Sequence, residues 1–149
     1  AQLEDGLHKT TKQFVDWCVE QDIKQVVVGD IEGVQRNTSA RKKKNRKVRS
    51  RKHNQRMSQW QFGKLYDYLK YKLEAKGIEI HKIDESYTTQ TCPVCGRRKK
   101  CSSRNYKCYC GYKQHRDIHG AINIWSKYIY GEIINTGITL KNLTYLRIA

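Results

Sequence analysis

The sequence holds one proline, one methionine and two phenylalanines in 149 residues, and two long stretches of it contain no acidic residue. With so little proline and 38% apolar residues, low-complexity disorder is excluded for most of the chain, and a modest core is possible. No apolar run approaches the roughly 18 residues that a membrane span needs. The start, AQLEDGLHK, lacks the basic-then-apolar layout of a secretory leader, so a cytoplasmic chain that meets polyanions is expected. The length suits about one domain, and no internal repeat is visible.

What the sequence has in excess is positive charge: 30 Lys and Arg against 14 Asp and Glu, a net +16. The excess is uneven. Residues 1–32 carry 3 basic and 7 acidic groups, whereas residues 33–66 carry 12 basic groups and no acid. Residues 86–116 repeat that bias with 8 basic groups and no acid. Within the first stretch Arg41, Lys42, Lys43, Lys44, Arg46, Lys47, Arg49, Arg51, Lys52 and Arg56 form a dense run. Such a run neutralises phosphates without reading sequence, and its binding weakens steeply with salt. Trp60, Tyr66 and Tyr68 follow it and are either helix core or rings that stack on unpaired bases.

Phe14, Trp17 and Cys18 at i, i+3, i+4 predict an amphipathic helix over 7–20. The consecutive Val26, Val27 and Val28 predict a strand covered on both faces, ended by Gly29, Asp30 and Gly33. Residues 34–56 have little to bury and read as a segment ordered on a partner. Phe62, Leu65, Tyr66, Leu69 and Leu73 predict a second helix capped by Gly77, and Ile78, Ile80 and Ile83 a second strand. Strand, crossover helix and strand make a βαβ unit with a parallel pair. Ile118, Ala121, Ile122, Trp125 and Ile129 predict one face of a last helix ending at Gly131, and the tail 132–149 shows no clean period.

Five of the six cysteines fall within 19 residues, in the pattern T-C-P-V-C-G and then K-C-Y-C-G. Two knuckles separated by a short hairpin deliver the four thiolates of a tetrahedral zinc ribbon, here Cys92, Cys95, Cys108 and Cys110. The second knuckle is one residue short of the usual spacing, which leaves Cys101 as a substitute ligand. Cys18 is expected in a core. A disulfide pair would need an oxidising compartment, and nothing in the sequence indicates one.

Three acids stand where chemistry gathers in open parallel sheets: Asp30 after the first strand, Glu85 after the second and Asp117 opening the last helix. Converging carboxylates can hold Mg²⁺ or Mn²⁺ for a two-metal phosphodiester hydrolysis. Each acid also has a plain alternative, as a turn residue, a surface acid and a helix N-terminal acid. His115 and His119 flank Asp117 and are expected to face solvent or cap; His8, His53 and His81 carry no signal.

The cysteine strings, followed by H-R-D-I-H-G-A-I-N-I from His115 to Ile124, resemble the C-terminal zinc ribbon of insertion-sequence OrfB (TnpB) proteins. That family comprises transposon-encoded, RNA-guided DNA endonucleases with a RuvC (RNase H-like) nuclease, relatives of type V CRISPR effectors. The resemblance runs from about residue 20 to 130. It implies an α/β chain with a partial RuvC fold in residues 1–86, basic insertion 34–56 included. A four-cysteine zinc ribbon at 87–116, the final RuvC helix at 117–131 and the tail would follow. It implies structural Zn²⁺, catalytic Mg²⁺ or Mn²⁺, guide RNA and target DNA as partners, and action on DNA of the nucleoid. Asp117 falls on the family's last catalytic Asp. Gly29 stands where the family has its catalytic Glu, and either Asp30 or Glu85 compensates. No strand here supplies the family's first Asp, so an upstream segment, another chain or self-association would complete the site. Arg116 joins the basic run as a nucleic-acid contact. The alternative is a non-catalytic DNA- or RNA-binding accessory or remnant that completes another chain.

Overall fold

The computed structural model describes residues 2–30 and 62–138. The basic run from Arg41 to Arg56, Trp60 and the tail beyond residue 138 lie outside the described residues. In chain order the elements are α1 (Gln2–Glu20), β1 (Gln25–Asp30), α2 (Phe62–Glu74), β2 (Glu79–Asp84), β3 (Asn105–Lys107), β4 (Lys113–His115) and α3 (Arg116–Tyr130). The described residues divide into two compact units, one of residues 2–26, 30 and 62–80, the other of 27–29 and 81–138.

In the first unit α1 packs on α2. Glu4 and Asp5 in the first turn of α1 complement its dipole. The buried positions of α1 are Thr11, Val15 and Cys18, whereas Phe14 and Trp17 are 37% and 45% exposed. The predicted helix is present, but its core face is turned from the large aromatics to small residues. Those residues let α2 approach closely. The Thr11 hydroxyl donates to the Leu7 carbonyl at 2.8 Å, which hides its polarity. From α2, Lys72 Nζ donates to the His8 carbonyl at 2.8 Å and to Thr11 Oγ1 at 2.7 Å. Tyr68 stacks on His8 with ring centres 4.2 Å apart and donates to Glu4 at 3.1 Å, so this tyrosine serves the helix contact. Val15, Cys18, Leu73 and Ile78 form the core, joined by Ile23, Val26, Leu69 and Ile80.

Gly77 ends α2 in the left-handed region at φ 70°. The Ile78 amide then returns to the Leu73 carbonyl at 3.0 Å, the bond that turns a helix end into the next strand. β1 and β2 form a two-stranded sheet. Gln25 donates to Glu79 at one end, at 3.2 Å, and Gly29 adjoins Glu85 at the other, so the strands run in the same direction.

In the second unit β3 and β4 pair antiparallel, with Asn105 opposite His115, Tyr106 opposite Gln114 and Lys107 opposite Lys113. α3 follows at once. Its C-terminal cap is Gly131 at φ 76°, as the sequence predicts. Its buried face differs from the prediction: His119, Gly120, Ile122, Asn123 and Ser126 are inside, while Trp125 is 38% and Ile129 48% exposed. The reason is what covers the helix. Asn123 Nδ2 donates to the carbonyls of Thr88 at 2.7 Å and Thr91 at 2.9 Å, and Ser126 Oγ donates to the Glu132 carbonyl at 2.8 Å. Buried loop carbonyls need donors, and an apolar face would leave them unpaired. At Gly120 the helix runs close to Thr89, whose methyl would lie only 3.3 Å from an added Cβ. Among the described residues no helix is long and apolar enough to cross a membrane.

Candidate metal centre and carboxylate sites

The Sγ atoms of Cys92, Cys95, Cys108 and Cys110 all lie within 4.8 Å of one another. Cys92 and Cys110 are 3.6 Å apart, and Cys95 and Cys108 are 3.5 Å apart. A tetrahedral ion with bonds of about 2.3 Å needs sulfur–sulfur edges of about 3.8 Å, so the four thiols fit one metal ion with little adjustment. Tight turns set this geometry. Gly96 at φ 70° donates to the Cys92 carbonyl at 2.9 Å, and Gly111 at φ 95° to the Cys108 carbonyl at 3.1 Å. The short second knuckle therefore closes without help from Cys101. That thiol is turned away, against the Asn105 carbonyl at 3.3 Å. Cys18, as expected, is buried in the other unit, where burial pushes its thiol up.

The backbone amide of Cys110 holds the Cys108 thiol down to about 7, while burial pushes Cys92 up to about 12. Cys108 therefore ionises more readily than Cys92. Tyr106 is fully buried between the knuckles and α3, and burial pushes its hydroxyl up to about 12. It therefore stays a donor, to the Gln90 carbonyl at 3.1 Å. Its ring stacks on His119 at 4.0 Å and 13°. His119, expected at the surface, has no exposed area, and burial pushes it down to about 4. Its Nδ1 lies 3.3 Å from the Tyr112 hydroxyl.

Among the described residues the four cysteines are the only group of three or more metal-capable side chains with their ligand atoms so close. The acids are placed singly. Asp30 is exposed at the end of β1. Glu85 directly follows β2 and is half-buried beside Gly29. A Cβ built on Gly29 would fall on the Glu85 carboxylate and lie 2.9 Å from Glu85 Cβ. The Glu85 side chain thus occupies the space that a side chain at position 29 would take. Asp117 lies in the first turn of α3 and its side chain is 78% exposed. His115 caps that helix, its Nδ1 accepting from the Asp117 amide at 3.3 Å. Arg104, His115, Arg116 and Asp117 line an open cavity of about 330 Å³. Arg116 is thus placed beside Asp117, as the sequence suggests.

Lys127 fastens α3 to the end of β2, donating to the Asp84 carbonyl at 2.9 Å and the Ser86 carbonyl at 3.4 Å. Asp117 precedes Lys127 by ten residues, about 15 Å along the helix axis. Sequence reasoning passed over Asn123, Lys127 and Tyr106, which position these groups. Their only signal was Asn123 one turn after His119, a polar pair on a helix otherwise read by its apolar residues.

Residues 62–124 match the Cas12f1-like, TNB domain family. TnpB-like protein MJ0751 of Methanocaldococcus jannaschii is 28% identical over 127 residues, which are 84% of this chain and 42% of that protein. The CRISPR-associated endodeoxyribonuclease Cas12f1 of an uncultured archaeon is 32% identical over 75 residues, 44% of this chain and 14% of that protein. The chain thus spans less than half the length of these relatives. In fold it is similar to a chain of a cryo-EM structure of the Cas12f1-sgRNA-target DNA complex. The TM-score is 0.59 at 21% identity, over 80% of this chain and 32% of the other. In sequence this chain resembles the TnpB-like and Cas12f1 proteins, and its mixed α/β fold resembles that of Cas12f1.

Proposed function

We propose that this chain is the C-terminal RuvC and zinc-ribbon portion of a TnpB-like, RNA-guided DNA endonuclease, and that Glu85 and Asp117 are its metal-binding carboxylates. The observation that carries the reading is the exchange at the end of the sheet. The family resemblance implies a Glu where the chain has Gly29, and the Glu85 side chain fills the space beside Gly29 from the next strand. Asp30, one residue on, is the lesser candidate.

The ribbon cysteines suit Zn²⁺, a closed four-sulfur site with no open position for substrate. Mg²⁺ or Mn²⁺ held by the carboxylates would supply an activated water and stabilise the leaving oxygen. The side chains of this chain do the rest. Glu85 and Asp117 each offer carboxylate oxygens to such an ion, and Arg116 beside Asp117 offers the strand a phosphate contact. Arg41, Lys42, Lys43, Lys44, Arg46, Lys47, Arg49, Arg51, Lys52 and Arg56 neutralise guide RNA and target DNA backbone. A two-metal site of the family's type would also need the family's first Asp. The setting is the cytoplasm, on nucleoid DNA.

A Mn²⁺- or Mg²⁺-dependent nicking assay on single-stranded DNA, with and without guide RNA and any upstream chain, tests this. Cleavage that disappears in Asp117→Ala and Glu85→Gln supports the assignment. Cleavage that survives Asp117→Ala overturns it, and salt-sensitive RNA binding without any cleavage selects the non-catalytic accessory instead.

A further inference from the structure

The cysteine ribbon carries two exposed aromatic rings that its metal site does not explain. Tyr109 is 79% exposed. It stands between Cys108 and Cys110, so the metal turns fix its backbone. The Lys99 ammonium lies 4.5 Å from its ring centre. Tyr87 is 51% exposed and holds φ 63°, a left-handed conformation that side chains other than glycine avoid. Three hydrogen bonds to its carbonyl keep it there, from the amides of Gln90 and Thr91 at 3.0 Å and from Thr91 Oγ1 at 2.9 Å. The Arg98 guanidinium lies over its ring at 4.1 Å. Both rings therefore show the same arrangement, a rigid backbone, a cation against the ring and a large exposed area.

We infer that Tyr109 with Lys99 and Tyr87 with Arg98 are two stacking positions of the ribbon for unpaired nucleotides. A base has a flat face to lay on the exposed ring, and the phosphate beside it meets the cation. The ribbon segment 86–116, with 8 basic groups and no acid, supplies the surrounding field. An acidic peptide would use the cations but has no need of the rings. This assignment rests on the nucleic-acid reading above and adds to it where the strand lies and that its bases must be free.

The test is fluorescence anisotropy with the metal-loaded full chain, using a short unpaired DNA, the RNA of the same sequence and an abasic strand of equal length. Tyr109→Leu and Tyr87→Leu should each weaken binding roughly tenfold with an unchanged salt slope, while Tyr109→Phe and Tyr87→Phe keep it. The unaltered protein should lose affinity for the abasic strand by a similar factor, and the DNA and RNA arms identify which strand the rings take. Equal affinity for abasic and normal strands overturns the assignment, and that arm decides even where a variant loses its metal. Failure of the unaltered protein to bind any strand overturns the nucleic-acid reading together with it. Binding that ignores both tyrosines and bases overturns only the stacking positions.

Discussion

Adding one methyl group at Gly29 should destabilise the protein, and removing the Glu85 side chain should cancel the effect. In a strand, Gly→Ala ordinarily stabilises by about 0.5–1 kcal/mol, because alanine loses less backbone freedom on folding. Here the new Cβ would lie 2.9 Å from Glu85 Cβ and 3.2 Å from its Cδ. Carbon atoms settle about 3.5–4.0 Å apart. The carboxylate can swing aside, but Glu85 Cβ is fixed to backbone at the end of β2. Relief requires the two strand ends to separate, an overpacking penalty of about 1–3 kcal/mol. The net loss for Gly29→Ala is then up to about 2.5 kcal/mol, or as much as roughly 10 °C in Tm for a chain of this size. In the Glu85→Gly background the same substitution meets no side chain and should be neutral or stabilising. Urea unfolding of the four proteins of this cycle measures the coupling, which equals the overpacking penalty of about 1–3 kcal/mol because the backbone gain cancels. A stabilising Gly29→Ala in the parent chain, or strict additivity with Glu85→Gly, would refute the claim that Glu85 occupies the place of a side chain at 29.

Asn123→Ala leaves the Thr88 and Thr91 carbonyls unpaired and should lower stability by about 2–4 kcal/mol, read by urea denaturation. His119, pushed down to about 4 from 6.5, takes up its proton more readily when unfolded, so stability should fall as pH drops from 6.5 toward 4. The loss approaches about 3 kcal/mol, and His119→Gln should flatten that acid limb in pH-dependent melting. Elemental analysis should find one bound ion per chain retained in Cys101→Ala and lost in Cys108→Ala. The reverse result would make Cys101 a ligand.

The three helices and the first two strands follow from periodicity and glycine placement, because β-branched runs, apolar spacing and left-handed caps are local effects, although α1 begins at Gln2 rather than near residue 7 and β3 and β4 carry no such period. The four metal cysteines are likewise legible, since two short knuckles leave the thiols little freedom to go elsewhere. Which side of a helix is buried is not local. Phe14 and Trp17 dominate α1 by size, yet Thr11, Val15 and Cys18 face α2, since close approach favours small side chains and Thr11 hides its hydroxyl on its own helix. On α3 the apolar Trp125 and Ile129 suggest one face, and the carbonyls of the 88–91 turn select the other by asking for an amide donor. The relation of Gly29 to Glu85 spans 56 positions of sequence and depends on the parallel register of β1 and β2.

Tyr106 and His119 each have no exposed area, and each is covered by the other. A cut between Arg116 and Asp117, at the boundary the sequence suggests for the ribbon, would strip both rings at once and open Tyr112 as well. The smallest transplantable piece therefore runs from the end of β2 through Gly131, and a graft of the cysteine knuckles alone would present a wet aromatic scar. By the same coupling, withdrawing an ion held by the four cysteines should unseat the ring that α3 leans on and loosen the helix that carries Asp117. The ribbon acts as the hinge pin of that helix, and pulling the pin should be felt at the carboxylate.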